Sequence, residues 1–394
     1  MFRFNATQNL KKVLSGGSES KPPVPSLNHQ ISIHSEYQGE RLPLRGEYPK
    51  RIQIGDILMG NEQFKKVSPV NGIAKYEQET DTITLTQDGG FHPQNRQNIR
   101  NFPNQQEFEL TLINSGLTYL DYDGISIQKI FQVLQSEKPC QIILSPFSLQ
   151  NFFDYRSILQ EEYVEAIEAF KKNIISLYPN TEIIDFLADE NIQYEYPAGN
   201  PRYFLFRYCS FPLEEDPIQA GKIYLGAETL YHFLRILYRS IPFYERIITI
   251  FIKNKNGELE GEPRHIPLRN GMNLKDFFFQ YRNTHKYFTI NSFYNQNPVY
   301  KIGSDFILDI YQHESFIICD DIAASSREKI CIDCNDCSSY CPVNANPRGI
   351  LDKGEKNFNH KICLECGICT LFCPAHIDFF ARIRELKKEK NRVP

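Results

Sequence analysis

The chain has 394 residues, with 44 basic against 48 acidic side chains, a net charge of −4, 41% hydrophobic and 23% charged residues. At roughly 150 residues per domain that length predicts two or three domains, and the composition excludes global disorder and collagen-like repeats. No basic surplus exists to wrap nucleic-acid phosphates, no run approaches the ~18 to 20 consecutive apolar residues that cross a bilayer, and the start MFRFNATQNLKKVLSGG lacks the apolar core of a signal peptide, so a cytoplasmic chain without a nucleic-acid partner is expected.

Residues 1–30 end in SGGSESKPPVPS, too poor in large apolar side chains to pack strongly, and read as a flexible tail. Residues 31–112 are short, alternating and broken by Gly, Pro and Asn, the signature of many short strands and turns. In 113–240 the period changes. CQIILS at 140–145, TEIIDFL at 181–187 and GKIYLG at 221–226 read as buried strands. Val164, Ile167, Phe170, Ile174 and Leu177 recur at helical spacing, AETLYHFLRILYRS reads as a further helix, and the sum is a mixed α/β layer. Residues 241–320 open with the strand ERIITIFIK at 245–253 and hold a small helix near Leu274 to Tyr281, a small α+β module. A cysteine-rich segment fills 321–380, and a basic tail, 381–394, closes the chain. The expected fold class is therefore multidomain α/β and α+β.

Of the 11 cysteines, eight fall within 43 residues, too local for a disulfide framework and suited to a reducing compartment. Cys331, Cys334, Cys337 and Cys341 are followed by Pro342, and each recurs 32 residues later as Cys363, Cys366, Cys369 and Cys373, followed by Pro374. The segment is an internal duplication of C-x2-C-x2-C-x3-C-P. In that spacing three thiolates grip one iron–sulfur cubane while the fourth belongs to the other. Cluster 1 is expected on Cys331, Cys334, Cys337 and Cys373, and cluster 2 on Cys363, Cys366, Cys369 and Cys341. Each proline is expected to open a helix after the fourth ligand. Structural zinc sites also use paired thiolates, but a zinc ribbon has no use for a third cysteine or a trailing Cys-Pro. Two 4Fe-4S clusters are the expected cofactors. Cys140, Cys209 and Cys319 stand alone and are expected to fill core.

The cysteine segment resembles a bacterial dicluster ferredoxin module. Read in order, the remaining segments resemble the RnfC family, the peripheral subunit of the membrane-bound Rnf ferredoxin:NAD oxidoreductase. LPLRGEYPKRIQIGDILMGNEQF and SPVNGIAKYE are similar to its N-terminal barrel-sandwich hybrid, with Ile54, Gly55 and Asp56 matching one turn and Ser68, Pro69, Gly72 and Ile73 a second. Asn71 stands where a lysine would be needed to carry a lipoyl or biotinyl group, so none is expected. YPAGNPRYFLFRY at 196–208 resembles a further family motif, and AETLYHFLRILYRSIPFYERIITIF the passage from a Rossmann-like, flavin-type α/β domain into an SLBB-like β-grasp. The resemblance thus implies a barrel-sandwich hybrid over 31–112, a degenerate FMN/NADH-type domain over 113–240, a β-grasp over 241–320 and a ferredoxin-like domain over 321–380.

The sequence departs from the family at GLTYLDYDGISI, 116–127, where the family has a glycine-rich turn that approaches FMN and NADH phosphates. Only Gly116 and Gly124 keep their glycines; Tyr119, Asp121 and Tyr122 replace others, and Asp123 adds a second carboxylate. Bulk blocks the backbone approach and the carboxylates repel phosphate, so FMN and NAD are not expected as cofactors. SPFSLQNF at 145–152 likewise lacks the family's glutamates. The resemblance then implies electron transfer at the cytoplasmic membrane face, with membrane subunits of an Rnf-like complex and a soluble electron donor or acceptor as partners. An intact NADH-oxidising flavin reductase, including the cobalamin-reductase relatives, and a docking subunit with merely stabilising clusters are the alternatives.

No hydrolase motif, P-loop or catalytic residue is expected. GGFHP at 89–93 reads as a turn, and His360 and His376 as exposed loop residues. Ile377, Phe380, Ile383 and Leu386 share one helix face, while Arg382, Arg384, Lys387, Lys388 and Lys390 dominate elsewhere. A helix packed on the cluster module is the expectation, with a basic surface for an acidic membrane or subunit as the alternative.

Overall fold

The computed structural model describes residues 30–37, 39–88, 98–122, 125–149, 152–189, 191–192, 196–254, 259–290, 299–320, 328–352 and 357–390. The expected tail at 1–29, the GGFHP turn, Asp123, Gly124 and residues 391–394 lie outside them. The chain is a mixed α/β protein of several sheets. Among the described residues no helix is long and apolar enough to cross a membrane.

The first unit is an antiparallel sheet in the order Gln30–His34, Thr82–Gln87, Gly72–Glu77 and Lys50–Ile52, joined by the strand pair Ile57–Gly60 and Lys65–Val67. Alternating side chains such as Ile31, Ile33, Ile83 and Leu85 fill its core. The IGD and SPVNG turns meet: Ser68 donates its amide to Asp56 O at 2.9 Å, and Ile54 N donates to Asn71 Oδ1 at 2.9 Å. Gly72 is required because a Cβ there would stand 2.0 Å from Thr86 O.

In the second unit Cys140–Leu144 is the central strand, paired in parallel with Thr181–Asp185 and Lys222–Leu225. Helices Gln105–Asn114, Ile127–Leu134, Tyr155–Glu162, Val164–Leu177, Pro201–Cys209 and Ala227–Arg239 accompany this sheet. The stripe on Val164–Leu177 is narrower than expected: Ile167, Phe170 and Ile174 are buried, but Val164, at the first helical position, lies outside. The third unit is a five-stranded sheet in the order Arg264–Arg269, Glu245–Ile252, Ser315–Cys319, Tyr287–Ile290 and Val299–Lys301, with Glu245–Ile252 and Ser315–Cys319 parallel. The short helix Lys275–Phe279 follows the second strand in sequence.

The boundary expected near 240 is not a boundary between cores. Helix Ala227–Arg239 is buried on nearly every side, so Leu230, Phe233 and Leu237 join Ile248, Ile250, Phe278, Phe288 and Phe316 in one hydrophobic cluster. Where that helix meets the sheet, Arg246 donates from Nε to Glu228 Oε1 at 2.7 Å and from Nη2 to Oε2 at 2.8 Å. Tyr155 donates its hydroxyl to the same carboxylate, and Arg246 Nη1 donates to Ile310 O. Lys66, fully buried, ties the first unit to the third through Asp309 at 3.1 Å and the carbonyls of His34 and Glu36. Removing one partner of a buried ion pair leaves the other charge unpaid by solvent. Arg246→Met is therefore expected to destabilise the protein by about 3–5 kcal/mol in urea unfolding; a loss below about 1 kcal/mol would show that the pair does not hold the layers together.

Candidate metal centre

The duplication seen in the cysteine spacing extends to the backbone. Left-handed residues recur at the same interval: Asp333 with Glu365 (φ 56° and 55°), Asn335 with Gly367 (61° and 76°), and Asn344 with His376 (54° and 56°). Short helices Asp336–Ser339 and Ile368–Leu371 start at equivalent positions and carry the third cysteine of each set. Tyr340 and Phe372, also equivalent, stack on each other with centroids 4.4 Å apart and planes inclined by 24°. These rings directly precede Cys341 and Cys373, so the stack joins the two halves beside their fourth cysteines.

Each Cys-Pro lies in a turn, and the expected immediate helix is absent: helical structure begins only at Pro347 and Phe379. The reason is local. Cys341 Sγ accepts from Ala345 N at 3.3 Å and Cys373 Sγ from Ile377 N at 3.4 Å. The left-handed Asn344 and His376 just before those amides interrupt any right-handed helix. No strand is described in 328–352 or 357–390.

The fourth cysteine of each set lies near the other set. Cys341 lies close enough to Cys363, Cys366 and Cys369 to act on each thiol electrostatically, and Cys373 and Cys334 act in the same way on Cys337. Cys341, Cys363, Cys366 and Cys369 line one cavity, whose remaining wall includes Pro342, Val343, Leu364, Ile368 and Ile383. Burial, the largest cause, pushes the Cys366 thiol up to about 12 and raises Cys369, Cys363 and Cys337 in the same direction. Backbone amides oppose it: Glu365 at Cys363, and Ile368 at Cys366. Asp333 N likewise donates to Cys331 Sγ at 3.4 Å.

Among the described residues, no three Cys, His, Asp or Glu side chains converge closely enough to hold a single metal ion. A tetrahedral zinc with Zn–S bonds near 2.3 Å needs its thiolates about 3.8 Å apart. A four-iron cubane presents each thiolate to a different iron and needs them wider, around a cavity. Four soft donors, amide hydrogen bonds to sulfur and an apolar wall fit such a group.

The second loop is held by the α/β unit. Tyr196 donates its hydroxyl to Cys366 O at 2.5 Å, and Arg202 donates to Cys363 O, Lys361 O and Leu213 O. Leu213 and Tyr203 join the module's hydrophobic core. Tyr196 and Arg202 belong to the YPAGNPR segment, whose anchoring role no pattern in the sequence signals. From the other side Lys387 donates to Cys363 O at 2.7 Å and to Glu365 at 2.8 Å. Helix Phe379–Lys390 crosses the boundary expected at 380, burying Phe379, Ile383 and Leu386 in the same core, while Arg382 pairs with Glu328. Arg382 and Lys387 thus bind within the module itself. His376 is exposed, His360 half-buried, and of the lone cysteines Cys140 and Cys319 are buried and Cys209 half-buried.

Gly116, Tyr119 and Asp121 are packed inward. Gly116 (φ 81°) fits against Val67 and Lys65 of the first unit, where a Cβ would come within 3.2 Å of Lys65 O. Asp121 is 3% exposed, and its Oδ2 accepts from Gly226 N at 2.9 Å. Gly226 is the N-cap of helix Ala227–Arg239, so the carboxylate takes the position at the helix N-terminus that an anionic ligand would favour. A Cβ at Gly226 would lie 2.2 Å from Asp121 Oδ1. Tyr119 donates its hydroxyl to Tyr224 O, filling the space beside it.

No family model matches the chain, and no curated protein matches it.

Burial raises the Asp121 carboxyl from the ordinary 3.8 to about 7, opposed by the Gly226 amide. A carboxyl raised in the folded state keeps a proton that the unfolded chain releases, so stability falls as pH rises from about 4 to about 7. Asp121→Asn should remove that loss, worth at most about 4 kcal/mol. Its melting temperature relative to the native chain should rise between pH 4 and pH 8; a difference independent of pH would contradict the assignment.

Proposed function

We propose that this protein transfers electrons through two 4Fe-4S clusters, as a peripheral subunit of an Rnf-like membrane electron-transport complex. The observation that carries the reading is that Cys341 lines one cavity with Cys363, Cys366 and Cys369, while Cys373 lies beside Cys337. When bound, such clusters accept and release single electrons. The chain's own residues supply the rest. Eight thiolates ligate, the amides of Asp333, Ala345 and Ile377 donate to sulfur, and the apolar wall limits water. Tyr196 and Arg202 hold the second loop against the α/β unit.

The fold supports the same relationship. The five-stranded sheet has the 2-1-5-3-4 order of a β-grasp, counted from Glu245–Ile252, with its first and last strands parallel. The antiparallel first unit, with its two facing glycine turns, suits a barrel-sandwich hybrid. The α/β unit then acts as a scaffold: Asp121 already occupies the Gly226 amide, which weighs against a flavin phosphate at that helix end.

Protein prepared without oxygen is expected to hold about eight irons per chain, the content of two cubanes. Cys373→Ser should damage the cluster held by Cys331, Cys334 and Cys337, and Cys341→Ser the other, each leaving about four irons with one EPR signal. If Cys373→Ser instead spares that cluster and destroys the other, the ligand exchange is wrong. Fractionation of native cells should place the protein with membranes after a high-salt wash, since surface charge is screened beyond about 10 Å at 0.1 M. Recovery wholly in the soluble fraction at low salt would contradict membrane docking.

A further inference from the structure

The two halves of the module share a backbone but differ in what covers them. In the second half Ile362 and Leu364 bracket Cys363; Leu364 is buried, Ile362 is half-buried, and both join the core that includes Leu213 and Tyr203 of the α/β unit. Arg202 and Tyr196 complete that cover with hydrogen bonds to the carbonyls of Cys363 and Cys366. Thirty-two residues earlier, Ile330 and Ile332 bracket Cys331 in the same way. They are 90% and 66% exposed, the largest values among the exposed large hydrophobic side chains of the described residues. Cys334, the equivalent of Cys366, is exposed too.

Two isoleucines held in water beside a ligand loop are unfavourable in the isolated chain, and apolar patches rimmed by polar groups mark interaction sites. The rim is acidic by one charge: Asp333, whose side chain is 71% exposed, and Asp352 both pair with Arg348, and Asp336 lies in the same loop, against Lys329 beside Ile330. We propose that this face is the docking surface for an external redox protein with a basic rim. That partner covers Ile330 and Ile332 as the α/β unit covers Ile362 and Leu364. The proposal rests on the electron-transfer reading and adds an order to it: the second cysteine set is the inner one, clasped within the chain, and the first is the outer one, facing the partner.

The test uses the full-length, iron-loaded protein and ferricytochrome c, a small basic redox protein, as the probe, with binding followed by titration calorimetry at low salt. The native chain should bind. The double variant Ile330→Asn, Ile332→Asn, which changes no charge, should keep its iron and bind at least tenfold more weakly. Ile175→Asn, at an exposed site on helix Val164–Leu177, should bind as the native chain does. Equal binding by the double variant, or no binding by the native chain, would overturn the proposal. So would binding to phosphatidylcholine vesicles that the double variant loses, because the face would then be a lipid surface. A native chain without iron would instead overturn the electron-transfer reading, which separates the two failures.

Discussion

The placement of Cys341 beside the second cysteine loop and of Cys373 beside Cys337 is the constraint on which the cysteine module depends. With the fourth cysteine of each half set against the other half, neither half completes its group of thiols alone. The surrounding structure follows from that requirement. The left-handed residues at 333, 335 and 344, and their counterparts, turn the chain sharply enough to bring each set together. The Tyr340–Phe372 stack closes the seam between the halves, and the late start of helix Phe379–Lys390 leaves the Cys373 turn free to reach across. Burial raises the thiols where they converge, which a bound cation would reverse by favouring thiolate.

The rest of the chain gives that module a fixed mounting. The α/β unit and the five-stranded sheet share one core and the buried Arg246–Glu228 pair, and Lys66 locks the first unit onto the same body. Tyr196 and Arg202 then attach the second cysteine loop to it. A duplicated module thereby becomes polar, with one half facing inward and the other outward. In the α/β unit, Asp121 fills the helix N-terminus at Gly226, which turns a position suited to an anion into an internal cap.

The parts legible in the sequence were those fixed by local chemistry. Cysteine spacing revealed the 32-residue repeat, which the left-handed residues share, and strands such as Cys140–Leu144 and Glu245–Ile252 followed from compact apolar runs. What escaped depends on distant partners. Asp121 and Gly226 are far apart in the chain, so the carboxylate read as a charge that repels phosphate and not as a cap. The shared core was hidden because helix Ala227–Arg239 is buried on nearly all sides, packed against helices of its own unit and clustered with residues of the five-stranded sheet. The helix expected directly after Pro342 and Pro374 failed because proline permits a first helical turn without enforcing one. Here the sulfur-to-amide bonds to Ala345 and Ile377 prevailed.

X-ray absorption at the iron and zinc edges, on native protein purified without oxygen, tests the central claim most directly. The account predicts iron in a sulfur shell with a second shell of neighbouring iron, and zinc below stoichiometry. Zinc in a four-sulfur shell with no iron would contradict it.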